Sequence, residues 1–399
     1  MGGRRLFSAS PRQIRWFVVL SAIIAGGFFA LGVYFKYVDT NGRILATDYA
    51  VFRFASFLLW DGDMATLFDP EAFLKAHDAF EQVALGFSPF PYPPNALWFV
   101  APLKFLPEHF GMLIWLGLTF AAFAWAVCRQ TARPWLCALA LLVSPGSIVN
   151  IATGQNGYLS GALLAAGLLC LQTRPVLAGL LLGLLSYKPQ FGLLLPFVLL
   201  AGGYFRSFAT AAAVTLLLIA GSMMLFGTQP WFDYLRDVMP AQRGFLENGA
   251  GLAILTTPSF FIAGRLLGLP IAIDYGLQAV AGIAILIACV AAFRRPANPV
   301  LRAALIMVGA FLATPYCSSS DLGIVAAAQI LALSQRPQPT PGEYLLHGLV
   351  WALPLLMVVF SLAHIPIGPI VLSLFFYRLL KDMRSTEGQS ATLAPARGS

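Results

Sequence analysis

Residues 41–94 read NGRILATDYAVFRFASFLLWDGDMATLFDPEAFLKAHDAFEQVALGFSPFPYPP. This is the only long polar interval before residue 227, and an apolar run leads straight into it. From Lys36 to Pro93 the chain places Asp39, Asp48, Asp61, Asp63, Asp69, Glu71, Asp78 and Glu81, eight of its seventeen acids. Acids are sparse elsewhere, so acid/base chemistry is to be sought in this loop. Set between apolar runs, it reads as the outward-facing roof of a multi-span membrane enzyme, with Asp48 as its working carboxylate.

The flanking chain supports that reading. Of 399 residues, 59% are hydrophobic and only 11% charged, with a mean hydropathy of +0.78. Soluble domains carry about 25% charged residues. A chain so poor in charge cannot cover a water-facing surface, which makes it an integral membrane protein. The formal charge of +8 is spread singly between apolar runs. Bases so placed orient spans and form no phosphate-binding face, so nucleic acid is excluded as a partner. Cys128, Cys137, Cys170, Cys289 and Cys317 lie in or beside apolar runs without CxxC spacing, and His77, His109, His347 and His364 are dispersed. Disulfides, a metal site and a Ser/His/Asp triad find no support, and no cofactor is expected.

Apolar segments recur at 16–35, 110–128, 135–149, 158–172, 176–187, 190–205, 208–226, 270–293, 300–316, 322–335, 344–361 and 366–380. They predict an all-α polytopic bundle of about twelve helices. Several are shorter than the roughly 20 residues of a full crossing. Segment 16–35 follows Arg4, Arg5, Arg12 and Arg15 and has no small-x-small cleavage site, so it reads as an uncleaved first span with a cytoplasmic N-terminus. Residues 94–107 are broken by prolines, and 253–269 hold a proline and an arginine. If neither crosses, sixteen bases and three acids fall on the cytoplasmic side, against nine bases and fourteen acids outside. That bias follows the positive-inside rule, so both pieces read as interfacial helices on the outer face. One transmembrane domain then covers 1–384. Its outer loops are 36–109 and 227–269, and 385–399 is a small polar tail expected to be disordered.

Within this frame a few residues carry chemistry. Asp48 opens an amphipathic helix and is either its N-cap, a role Thr47 could also fill, or a base whose proton affinity is raised at the membrane boundary. Asp61 and Asp63 read as turn formers. Tyr92, in Phe90-Pro91-Tyr92-Pro93-Pro94, either lines a sugar or lipid pocket or belongs to the interfacial aromatic belt. Gly154-Gln155-Asn156-Gly157 is either a plain turn or a pair of amides for sugar hydroxyls. Lys188 follows Arg174 by fourteen residues, about 21 Å of helix, and so falls short of the far surface of a core about 30 Å thick. A base at that depth is a functional candidate, with a buried phosphate as its partner, or else it snorkels. Asp321, after Thr314-Pro315-Tyr316-Cys317-Ser318-Ser319-Ser320, caps the next helix or faces the site. Arg236, Arg243, Glu247 and Asn248 form a weaker polar set in the second loop.

Taken together, several stretches resemble glycosyltransferase family 87: DYAVFRFA with Asp48 and Arg53, FPYPP followed by APLKFLP, GQNG opening a helix, and GLLSYKPQFGLLLPF. The similarity spans roughly 40–320. Members are membrane mannosyltransferases of the GT-C class using polyprenyl-phosphate-linked sugars. The resemblance implies an acidic catalytic base in the first outer loop, at Asp48, and a donor phosphate beside Lys188. Gln155, Asn156, Tyr92, Arg53, Asp321 and Arg243 are then expected around the donor. It also implies an inverting transfer of a hexose such as mannose to a lipid or glycan acceptor, at the periplasmic face of a bacterial inner membrane. One departure stands out. Where the family often has a Trp and a His after the late proline, this chain has Pro315-Tyr316-Cys317-Ser318-Ser319-Ser320-Asp321. Two rival readings are an O-antigen-ligase-like transferase and a lipid or sugar transporter. The first would concentrate its polar residues in a late loop, and the second would show two related halves with broken helices.

Overall fold

The structure, a computed structural model, describes residues 24, 27, 47–81, 89–336 and 339–392, except for the side chains of 108, 109, 341 and 385–392. Apart from residues 24 and 27, the expected first span at 16–35 and the loop residues before 47 lie outside the described residues. Everything described is helix or connection, with no strand among the described residues.

The first polar loop folds into a hairpin of α1 (Thr47–Asp61), α2 (Met64–Phe68) and α3 (Pro70–Glu81). Asp63 caps α2 by accepting from the Thr66 N–H, and the Asp69 carboxylate takes the Glu71 and Ala72 N–H groups at the start of α3. Turn and cap are thus the work of the loop's middle acids. Phe54 packs edge-on to Phe73 at 5.2 Å, and His77 stacks on Phe73 at 5.8 Å. Residues 94–105 follow as three short helical turns. Ser56 Oγ donates to the Ala101 carbonyl and Trp98 Nε1 to that of Leu218, which pins this run between α1 and a long helix.

The bundle proper consists of α4 (Glu108–Cys128), α5 (Pro134–Leu142), α6 (Pro145–Thr153), α7 (Gly157–Cys170), α8 (Pro175–Leu184), α9 (Leu195–Ala201) and α10 (Phe205–Phe226). The second polar loop holds α11 (Gln229–Asp233), α12 (Met239–Asn248) and α13 (Phe260–Leu266) among shorter turns, and α11 touches α2. Then come α14 (Ile271–Phe293), α15 (Pro299–Ala313), α16 (Gly323–Ser334), α17 (Pro341–Trp351), α18 (Leu353–Leu362) and α19 (Ile367–Thr392).

Three described helices, within α4, α10 and α14, are long and apolar enough to cross a bilayer. Counting each bent pair as one span raises this to five. The bent pairs correct two expectations. Segment 135–149 is α5 and α6 at 60°, and 344–361 is α17 and α18 at 77°. Pro145 and Pro354 lack the N–H that would continue the ladder, and each ring clashes with the carbonyl four residues back. The last helix also runs on to Thr392, into the stretch whose composition suggests a disordered tail from 385. An established helix adds residues at little cost, and these small polar residues do not stop it.

Apolar side chains are sorted by neighbours. α10 leaves Leu217 70% and Met224 85% exposed, a surface suited to lipid. α15 is buried from Val300 through Ala313 and α16 from Gly323 through Ala332, so these two form the core with α7. The core helices are short, with 14, 15 and 12 residues in α7, α15 and α16. At 1.5 Å per residue they reach about 18–22 Å, against about 33–35 Å for α10 and α14.

All of them are level at one end. Arg129 Nη2 reaches Cys170 Sγ at 3.5 Å, joining the ends of α4 and α7. Arg302, at the start of α15, donates to Tyr204 Oη at 3.1 Å and lies over the Phe293 ring at the end of α14. Asn298 Nδ2 bonds Gln335 Oε1 at 2.8 Å, bringing in the end of α16. That end is rich in arginine, with Arg336 and Arg378 bridging Glu343 and Asp382. Level at the basic end, the short core helices must stop well below the other one. Their broken ends gather there, covered by Tyr92 and the start of α1.

Candidate active site

Three interruptions of the backbone lie at that end, and their polar side chains form what we call the floor; each break has a local cause. α6 ends because Gly154 turns left-handed at φ +68°, and a Cβ there would lie 2.4 Å from Tyr49 Cβ. Glycine is needed both for the turn and to let α1 come so near. The turn after α8 ends at Lys188, whose φ of −131° and ψ of 73° leave the helical region because Pro189 follows. α15 ends at Thr314, extended at φ −134° and ψ 148°, ahead of Pro315. The chain then returns through a turn at Ser319–Asp321 into α16.

The polar side chains at these breaks meet. Lys188 Nζ donates to Asp321 Oδ1 at 2.7 Å and to Asn156 Oδ1 at 2.8 Å. Lys188 is 3% exposed and Asp321 1%. Sequence reading expected a phosphate beside Lys188; the structure gives its ammonium a carboxylate counter-ion. The reason is its depth. An ammonium so far from water needs a permanent counter-ion, and Asp321 is within reach. These bonds use two of the three ammonium N–H groups, and the ammonium also lies over the Phe191 ring at 5.5 Å. Asp321 is not a helix cap, since Leu322 takes that position. Asn156 likewise stands at the N-cap of α7 without capping it, its carbonyl being turned to Lys188. Gly157 is what lets these groups close up, because a Cβ there would press on Asn150 Oδ1 at 2.6 Å and Asp321 Oδ1 at 3.2 Å.

Above the ion pair stands Tyr92. Its hydroxyl donates to Gln155 Oε1 at 3.0 Å, and that oxygen also accepts the Asn156 N–H at 2.8 Å. Its ring contacts Phe52 at 5.7 Å and Tyr187 at 6.2 Å. Burial pushes the Tyr92 phenol well up, and the carboxylates of Asp321 and Asp48 add to the shift, so both acids bear on this one hydroxyl. Asp48 is half-buried in the first turn of α1. The helix already includes Thr47, so Asp48 sits inside the first turn and not at the cap. A carboxylate is favoured there by the helix dipole. Its neighbour Tyr49 lies against the Gly154 turn, which brings the start of α1 to the edge of the floor.

Asp48, Tyr92, Gln155, Asn156, Lys188 and Asp321 thus share one end of the bundle. Two other expected residues stand elsewhere. The Arg53 guanidinium lies over the rings of Phe57 and Phe80 at 5.1 and 5.6 Å, on the side of α1 that packs on α3. Arg243 pairs with Glu247 at 3.6 Å on α12. Sequence reading also missed supporting residues. Tyr187 Oη is 2.7 Å from Ser160 Oγ, Asn95 Nδ2 donates to Ser186 Oγ at 3.0 Å, and Asn150 Oδ1 accepts the Gly157 N–H at 2.8 Å. Tyr187 and Ser186 adjoin Lys188 in the motif, which was the available signal. Asn95 directly follows FPYPP, and nothing near Asn150 marks it out.

Gln155 and Asn156 both spend their carbonyls inside the protein. What remains on both is N–H, and that of Asn156 is turned to the Tyr92 hydroxyl. The cluster is thus rich in donors and nearly neutral, the Lys188 charge being balanced by Asp321.

The chain matches the model of glycosyltransferase family 87 over residues 90–315, more than half its length. The matched range includes Tyr92, Gln155, Asn156, Lys188 and Arg243, and leaves out Asp48, Arg53 and Asp321. No curated protein and no solved structure matches the chain.

Proposed function

We propose a function for this chain from one premise: it belongs to glycosyltransferase family 87. It is a membrane glycosyltransferase, and so uses a sugar donor and an acceptor. The finer reading is that it moves a hexose, such as mannose, from a polyprenyl phosphate to a lipid or glycan acceptor. The arginine-rich end of the bundle lies in the cytoplasm, as the positive-inside rule requires, so the end that carries Lys188 and Asp321 faces the periplasm of a bacterial inner membrane. Residues 1–384 then form one transmembrane unit of about twelve helices, with the runs at 94–107 and 253–269 lying along the outer surface.

The observation that carries the reading is the Lys188–Asp321–Asn156 cluster, built from segments far apart in the chain, with the start of α1, next to Asp48, packed on the Gly154 turn beside it. In the proposed step an acceptor hydroxyl oxygen attacks the anomeric carbon while Asp48 takes its proton. The bond from that carbon to the phosphate oxygen breaks, and the electron pair leaves with the lipid phosphate. A phosphate is already a stable anion, so no second carboxylate is needed to protonate it. Hydrogen bonds from Gln155, Asn156 and Lys188 hold the phosphate and sugar oxygens, and Tyr92 closes the side. Arg53 and Arg243 contribute from further out.

The test is a balance sheet of lipids. Full-length protein in proteoliposomes is given polyprenyl-phosphate mannose and a membrane lipid extract, and lipids are followed by mass spectrometry. Free polyprenyl phosphate should appear in step with a mannosylated acceptor. Donor recovered intact, or merely moved across the bilayer, would overturn the reading in favour of transport.

A further inference from the structure

At the arginine-rich end of the bundle the helices do not close fully on one another. A cavity of about 210 Å³, mouth included, lies between the ends of α7 and α14 and the starts of α10 and α15. Leu168, Leu171, Gln172, Tyr204, Phe293 and Arg302 wall it, and its interior admits only a water-sized group. Arg302 is the charged member of that wall. It is 8% exposed, yet it has no carboxylate partner among the described residues. Its Nη1 donates to Tyr204 Oη at 3.1 Å and its Nη2 to the Arg295 carbonyl, both uncharged, and its Nε–H has no acceptor. Two of five guanidinium N–H groups are therefore used. Glu343 and Asp382, the acids at this end, are held by Arg336 and Arg378. Exposed Arg206, Arg294 and Arg295 follow closely on Tyr204 and Phe293 in the chain and add charge of the same sign. A cation this buried is costly without a counter-ion.

We propose that Arg302 and this cavity form a second ligand site, at the opposite end from the floor, which takes the phosphate of an anionic lipid headgroup. The inference needs only that the bundle crosses a membrane, not that it transfers sugar. α10 starts and α14 ends here, and both are long enough to span a bilayer, so the cavity lies at headgroup level. A guanidinium pairs with phosphate oxygens through its free N–H groups. The Tyr204 hydroxyl, which accepts from Arg302, still has its own proton to donate. Size selects the kind of ligand. One oxygen enters and the rest must stay outside, which a headgroup tethered in the bilayer does. Beside Tyr204, Phe205 is 65% exposed and continues the wall as apolar surface for an acyl chain. Basic pockets between helix ends on a cytoplasmic face suit such headgroups.

Native mass spectrometry of the full chain in neutral detergent tests this, with phosphatidylglycerol, phosphatidylcholine and inorganic phosphate as probes. The wild type should hold one phosphatidylglycerol about 10-fold more tightly than phosphatidylcholine, whose choline cation would face Arg294 and Arg295. Inorganic phosphate should not displace it. Arg302→Gln should weaken phosphatidylglycerol binding by about 10–100-fold, the scale of charged hydrogen bonds to one phosphate. Arg302→Lys keeps the charge without the fork and should cost less. Arg206→Gln, which removes an exposed base from the same end, should change binding by under about 2-fold. The proposal is overturned if the wild type retains no phosphatidylglycerol. It is equally overturned if Arg206→Gln costs as much as Arg302→Gln, since that is attraction to a basic surface in general. Displacement by inorganic phosphate would overturn the lipid as occupant and give the site to a free anion. Should Arg302→Gln fail to fold, the wild type and Arg302→Lys still decide.

Discussion

Replacing Asp48 by asparagine is expected to slow transfer by about 10²–10⁴-fold, the usual worth of a positioned general base. Asparagine has nearly the same shape but cannot take the proton of the attacking hydroxyl. The fold should survive. Asp48 is half-buried in the first turn of α1, where loss of its charge forfeits about 0.3–1 kcal/mol of dipole interaction. Donor binding should also persist, because the floor groups that hold it are untouched. Turnover and donor affinity measured together decide the matter: low turnover with normal affinity is the expected result. Near-wild-type turnover would remove Asp48 from the chemistry.

The second large effect concerns the buried ion pair. Lys188→Met strands the Asp321 carboxylate, and Asp321→Leu strands the ammonium, each at a site with under a twentieth of its surface exposed. Breaking a buried pair from one side costs about 3–5 kcal/mol. Replacing both partners with apolar side chains removes both uncompensated charges, and such exchanges are often neutral or stabilising. The double variant should therefore unfold on heating at nearly the wild-type temperature, while each single variant unfolds well below it. Transfer should not recover with stability, since Asn156 loses the ammonium that aims it. A double variant as unstable as the two singles combined would mean that the pair adds no coupling.

Much of this architecture is legible in the residues, and the exceptions have physical causes. The acid-rich loop, the scattered arginines and the polar breaks at GQNG, YKP and TPYCSSSD are local signals, and each marks a real interruption or end. Lys188 could be placed at depth by counting residues from Arg174. Its partner could not, because Asp321 lies 133 positions away and only the packing of α7 and α15 brings the breaks together. Arg53 was grouped with Asp48 by motif alone. Five residues along a helix is a rotation of about 140°, which already points it elsewhere, toward Phe57 and Phe80. The bends at Pro145 and Pro354 were written in the sequence, but unbroken apolar composition on both sides masked them.

Two carboxylates bear on Tyr92, and the account gives them different fates: Asp48 works, and Asp321 is held by Lys188. The most direct test is the anomeric configuration of the product made by the wild-type protein, read by NMR on the transferred sugar. A single base and a direct displacement require inversion relative to the donor. Retention would require one of these acids to act as a nucleophile in a covalent intermediate, and would contradict the assignment of Asp48 as a base.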